Sequence, residues 1–66
     1  MKLSISDFLK RAMLNEQELV RDYQAYADLT DDTEVAQTFR DYAEENGRRA
    51  AELKKLLHRF EPDVQS

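Results

Sequence analysis

The segment ISDFLKRAMLNEQELVRDYQAY (residues 5–26) decides how this chain folds. Apolar and aromatic residues recur in it at steps of three and four, which is the spacing of one face of an α-helix. The positions are Ile5, Leu9, Ala12, Leu19, Tyr23 and Tyr26. Glu16 lies on the same line, where an ionised carboxylate packed among apolar side chains would lose its water. The segment therefore predicts an amphipathic helix with one polar interruption at its centre.

The second half of the chain carries a similar helical pattern, and its centre is also polar. The apolar steps are Phe39, Tyr42, Leu53, Leu56 and Phe60. Asn46 and Arg49 occupy the central steps between them. The run DLTDDTE (residues 28–34) separates the two patterns, and its short polar side chains are typical of a turn followed by a helix cap. The sequence predicts an all-α single domain over residues 1–66, an antiparallel hairpin with helices at about 5–29 and 33–60.

Local signals set the ends of the two helices. Ser4 or Ser6 can cap the first helix, and Ser4 followed by Asp7 three residues later predicts a capping box. The cap of the second helix is left open among Asp31, Asp32 and Thr33. We expect Pro62 to end the second helix, because proline cannot continue it. Gly47 lies inside that helix, which indicates either a close approach of the two helices or simple tolerance.

Folding the chain back near residue 31 pairs positions whose numbers sum to about 62, and the pairing is apolar on both sides almost throughout. The apolar pairs are Ile5–Leu57, Leu9–Leu53, Ala12–Ala50, Leu19–Ala43, Tyr23–Phe39 and Tyr26–Ala36. The same register places Glu16 opposite Asn46. Further apolar residues need cover from outside the hairpin, among them Phe8, Met13, Val20, Val35 and Leu56. We therefore expect dimerisation into a four-helix bundle.

Composition narrows the class of protein. The chain has 66 residues and no cysteine, so disulfides cannot supplement a small core. No apolar run has the length of a signal segment or a membrane span. The net charge of −4 disfavours nucleic-acid binding, and a basic cluster at residues 54–59 suits the end of a helix. We expect a soluble cytoplasmic protein whose partner is itself, with no nucleic acid and no membrane.

Over Leu14 to Leu57 the joint spacing resembles the ferritin-like family, and its rubrerythrin branch in particular. In the first helix the similar residues are Glu16, Tyr23, Tyr26 and Ala27, and in the second they are Phe39, Ala43, Ala50 and Leu53. The resemblance implies one half of a four-helix bundle that holds two iron ions. In that family one helix supplies a glutamate and the other supplies Glu-x-x-His.

This chain departs from the family at the ligand positions. The resemblance aligns Glu-x-x-His with Asn46-Gly47-Arg48-Arg49. An amide replaces a carboxylate, and a guanidinium without a free lone pair replaces the imidazole. Only Glu16 remains as a vestigial ligand position. We therefore expect no metal and no cofactor, with iron as the alternative.

Two arrangements of the central residues remain open. In a dimer, two Arg49 side chains could balance two Glu16 carboxylates in a buried polar network, with Asn46 and Tyr23 adding hydrogen bonds. Alternatively, Arg49 extends along its aliphatic stem to solvent and Glu16 lies at a wet edge. Other polar residues have plainer interpretations: Glu44 and Glu45 form surface pairs with Arg48 and Arg49, and His58 complements a helix end.

Three functional interpretations follow. The favoured one is a structural or protein-interaction module with a degenerate, metal-free site and no catalytic residues. The second is a rubrerythrin-like or ferritin-like di-iron oxidoreductase or iron store that uses Glu16 with other ligands. The third is a helical adaptor or inhibitor that stays monomeric until a partner protein covers its apolar face.

Overall fold

A computed structural model describes residues 4–60 of the chain. Helix α1 spans Ile5–Leu29 and helix α2 spans Thr33–Phe60, and the two pack against each other. No strand occurs in this part of the chain. The all-α two-helix hairpin is thereby confirmed, and its longest dimension is 44 Å. Pro62, the predicted end of α2, lies outside the described residues.

Hydrogen bonds define the start of α1 and both ends of the turn between the helices. Ser4 and Asp7 form the predicted capping box, in which each side chain accepts a hydrogen bond from the other residue's backbone N–H. At the turn, the backbone N–H of Thr30 donates to the carbonyl of Tyr26. Of the three candidate caps for α2, Asp32 is the one that caps the helix. Its Oδ1 accepts a hydrogen bond from the backbone N–H of Val35 at 3.0 Å.

The predicted register between the helices is found at two levels. The rings of Tyr23 and Phe39 stack with their centroids 5.7 Å apart. Seven residues farther from the turn on each helix, Asn46 hydrogen-bonds Glu16. Both pairs have residue numbers that sum to 62, as the sequence predicts. The polar interruptions of the two helices therefore meet inside the hairpin.

The core of the single hairpin is thin. Its buried apolar residues are Ala27, Ala36, Ala43, Ala50 and Leu57. Four of these five side chains are a single methyl group, and no large side chain is fully buried among the described residues. Small side chains let the helices approach closely but remove little apolar area from water. Most of the large apolar side chains remain in contact with solvent.

Gly47 is not required by the packing of the helices. A Cβ built at this position would lie 3.9 Å from Cγ2 of Val20, which is an ordinary van der Waals distance. The residue also has no positive φ. Of the two interpretations left open by the sequence, the structure supports simple tolerance.

None of the helices described has the length and hydropathy needed to cross a membrane.

Candidate functional site

The polar centre of the hairpin is a hydrogen bond between its two helices. Nδ2 of Asn46 donates to Oε1 of Glu16. Asn46 is 8% exposed, and Glu16 is half-buried. A buried amide is stable only when its polar atoms are paired, and the carboxylate supplies that pairing. The second carboxylate oxygen, Oε2 of Glu16, has no hydrogen-bond partner among residues 4–60.

The other two members of the predicted network lie apart from this pair in the single chain. Arg49 is exposed, and within residues 4–60 no ion pair joins it to Glu16. Tyr23 is half-buried among other aromatic rings rather than bonded to Glu16. The structure thus brings Glu16 and Asn46 together and leaves Arg49 at solvent. The network was predicted for a dimer, and it stays a prediction.

The residues at the centre do not fit the two-iron site that the resemblance implies. Each chain offers one carboxylate, from Glu16, and one neutral amide, from Asn46. The amide nitrogen already donates to the carboxylate, so that oxygen is engaged. Arg49 has no lone pair to offer a metal ion and carries a permanent positive charge. Within residues 4–60 no three His, Cys, Asp or Glu side chains form a group that could hold a metal ion.

The remaining polar candidates lie apart from the central pair of Glu16 and Asn46. Arg48 and Glu44 form the expected pair one turn apart, at 3.9 Å, and both are well exposed. Glu45 is exposed as well. His58 is half-buried in the last turn of α2, which is the predicted location.

A feature that the sequence did not resolve is an apolar face on one side of the hairpin. Ten large apolar residues are exposed, and eight of them belong to this face: Ile5, Phe8, Leu19, Tyr26, Val35, Tyr42, Leu56 and Phe60. On a helix with 3.6 residues per turn, each of these residues is rotated about its helix axis by roughly 20–80° from Glu16 in α1 or from Asn46 in α2. All eight rotations are toward the same side of the hairpin. Leu14 and Leu29 are exposed elsewhere. We call the eight residues the apolar face.

Aromatic contacts establish that both helices contribute to the same face. Tyr26 of α1 approaches Phe39 of α2 at 5.5 Å between ring centroids. Tyr42 of α2 approaches Tyr23 of α1 at 5.5 Å. Tyr26 and Tyr42 are nevertheless 47% and 46% exposed. The four rings form a cluster toward the turn whose outer side is open to solvent.

The opposite side of the hairpin has a different character. Two shallow grooves run along it, and their walls include polar or charged side chains from both helices, such as Gln24, Arg40 and Lys54. Gly47 and Ala51 line the second groove. Most of the large exposed apolar side chains therefore lie on one side of the hairpin, and the grooves on the other side have mixed polar and apolar walls.

Comparisons with protein-family models, with curated proteins and with solved structures gave no match to this chain. The ferritin-like and rubrerythrin-like assignment therefore stays a prediction based on residue spacing.

Proposed function

We propose that this chain is a ferritin-like hairpin that pairs with a second copy through its apolar face to form a four-helix bundle. Its degenerate site holds no metal, and the bundle acts as a structural or protein-interaction module in the cytoplasm. The observation that supports the proposal is the size of the apolar face. Its eight side chains, each 37% to 54% exposed, leave roughly 550–900 Å² open to water if a free large side chain exposes about 150–250 Å².

That area is of the size that a dimer needs. The largest apolar patch on a typical monomer is about 300–600 Å², whereas each partner in a standard interface contributes about 800 Å². The single hairpin buries mainly alanine side chains, and chains of this length commonly need a partner to gain enough core. A second copy would supply the large apolar contacts that the hairpin lacks.

The polar centre supports the proposal in a second way. Arg49 lies one turn from Asn46, rotated by about 60° to the side of the apolar face, and is exposed in the single chain. A second copy on that face would cover two Arg49 side chains together with two Glu16 carboxylates. The charges of these four side chains cancel, and the free Oε2 of Glu16 is available to accept a guanidinium hydrogen bond.

Substitution of Arg49 separates the two arrangements left open by the sequence. If Arg49 pairs with Glu16 in the dimer, Arg49→Ala should lower the free energy of unfolding by about 3–5 kcal/mol, the cost of breaking a buried pair. If Arg49 stays at solvent, the loss should be below about 1 kcal/mol. Denaturant unfolding at a fixed protein concentration measures the difference.

The dimer itself is tested with two matched leucine variants. Leu19→Lys places a charge within the apolar face, whereas Leu14→Lys makes the same change at an exposed leucine on the other side. Sedimentation equilibrium should give the monomer mass for Leu19→Lys at concentrations where Leu14→Lys remains dimeric. Equal masses for both variants would contradict the proposal. A wild-type monomer that associates only with a partner protein would favour the adaptor or inhibitor.

Metal analysis tests the absence of iron. Protein purified from cells grown in iron-rich medium should contain no stoichiometric iron, whereas two iron ions per dimer would favour an oxidoreductase or iron store.

A gain-of-function variant tests the alignment with the family. Asn46→Glu combined with Arg49→His would restore a carboxylate and an imidazole beside Glu16, and we expect that double variant to bind ferrous iron when the parent chain does not.

A further inference from the structure

We propose that the second copy docks on the apolar face with its turn at the opposite end of the bundle. This orientation rests on the homodimer proposed above and adds its geometry. The supporting observation is that charge is distributed unevenly along the length of the hairpin.

The two ends of the hairpin carry opposite net charge. The turn half, residues 17–45, holds nine carboxylates and two cationic side chains. The open half, residues 4–16 and 46–60, holds seven cationic side chains and three carboxylates, with His58 counted as neutral. The net charges are therefore −7 and +4. The two halves sum to −3, and the charges in residues 1–3 and 61–66 bring the whole chain to −4, a total that conceals this separation.

Two-fold symmetry leaves two ways to bring the apolar faces together. When both turns lie at the same end, each half of the hairpin covers the identical half of the other copy, so −7 faces −7. When the turns lie at opposite ends, each turn half covers an open half. Like charges across an interface oppose association, and complementary charges favour it. The charges therefore select the opposed arrangement.

The opposed arrangement also preserves apolar contact along the whole face. Glu16 and Asn46 lie near the middles of α1 and α2, so two opposed hairpins overlap fully when these levels coincide. Helix α1 then packs antiparallel to α1 of the other copy. Residues of the two α1 helices lie at the same level when their numbers sum to about 32. Ile5 of one copy comes level with Tyr26 of the other. On α2, Val35 comes level with Leu56 in the same way.

Charged side chains beside the apolar face become complementary in this register. Arg11 and Asp22 lie on the same outer edge of α1 and are exposed. They are about 16 Å apart along their own helix at 1.5 Å per residue, which is too far for a pair within the chain. In the opposed dimer Arg11 of each copy comes level with Asp22 of the other. On α2, Glu34 of each copy comes level with Arg59 of the other in the same way.

Distance measurements between spin labels distinguish the two orientations. The chain has no cysteine, so one introduced cysteine gives one label per copy. Asp31→Cys places the label at the exposed turn. In the opposed dimer the two labels should be about 40–45 Å apart, since a 28-residue helix extends about 42 Å. With both turns at one end, the separation should be under about 25 Å, because packed helices lie only 8–10 Å apart.

A label at mid-length serves as the matched control. Gln17→Cys is exposed, lies beside the level of Glu16 and points away from the apolar face. Its separation across the dimer should be roughly 25–30 Å in either orientation, set by the thickness of two helix layers. A defined distance from Gln17→Cys with a short distance from Asp31→Cys would overturn the orientation but keep the dimer. No defined distance from either label would overturn the dimer itself.

A charge exchange adds a second test of the same orientation. Arg11→Glu should weaken the dimer roughly two- to fivefold for each exposed pair lost, and adding Asp22→Arg to the same chain should restore its affinity. Sedimentation at low salt measures both dissociation constants. If Asp22→Arg weakens the dimer further instead of restoring it, the opposed orientation is wrong.

Discussion

The hydrogen bond between Asn46 and Glu16 allows a quantitative test of the polar centre. Asn46→Ala removes the amide that donates to Oε1 of Glu16. A hydrogen bond to a charged group contributes about 1.5–3 kcal/mol. Glu16 is only half-buried, so water can partly replace the lost donor. We therefore expect Asn46→Ala to lower the free energy of unfolding by about 1–2 kcal/mol through the lost bond.

A double-mutant cycle isolates that contribution. Asn46→Ala, Glu16→Ala and the double variant are unfolded in urea at one protein concentration, because association shifts the apparent stability. The coupling energy between the two positions should be about 1–2 kcal/mol. In a domain of this size, 1 kcal/mol corresponds to a change in Tm of about 4–8 °C, so thermal unfolding gives an independent check.

The chain contains a matched control for this cycle. Arg48 and Glu44 form an exposed pair one turn apart in α2, where coupling is expected to be about 0.3–0.5 kcal/mol. If the cycle of Asn46 and Glu16 gives a coupling no larger than that of the surface pair, then the polar centre does not hold the helices together and our reasoning about it is wrong.

Two further predictions concern single positions. Gly47→Ala should raise the free energy of unfolding by about 0.5–1 kcal/mol, because alanine loses less backbone entropy in a helix and its Cβ would meet only Val20 at 3.9 Å; a destabilised variant in the same urea assay would refute this. Hydrogen bonds from the backbone N–H and hydroxyl of Ser4 hold the pKa of Asp7 below its ordinary value of 3.8. The stability that Asp7 adds is therefore present above pH 3.8 and is lost as the pH falls through its lowered pKa. The stability advantage of the wild type over Asp7→Asn should shrink in that acidic range, and a pH-independent difference between the two would contradict it.

The arrangement of the hairpin could be predicted because it depends on local sequence signals and on the position of a single turn. The capping box depends only on the spacing of Ser4 and Asp7. The register follows from the polar turn, since a chain that folds back at one point fixes every opposing pair. The contact of Glu16 with Asn46 and the stacking of Tyr23 on Phe39 both follow from that register.

Other features could not be predicted from spacing alone. Residues at steps of three and four include both the centre and the edges of a helix face, so the pattern grouped Arg49 with Asn46 although only Asn46 is buried in the hairpin. The cap of α2 remained open because neighbouring Asp31 and Asp32 have the same side chain. The charge separation between the two halves is present in the sequence. It predicts an orientation for the dimer only when the apolar face and the register of the helices are known.

Nuclear Overhauser contacts between copies test the central claim most directly. In a sample that mixes isotope-labelled and unlabelled chains, isotope filtering detects only contacts that cross from one copy to the other. We predict such contacts from the side chains of Leu19, Tyr42 and Leu56, all of which lie on the apolar face. An absence of contacts between copies at millimolar protein, or contacts confined to Leu14 on the other side, would contradict the account.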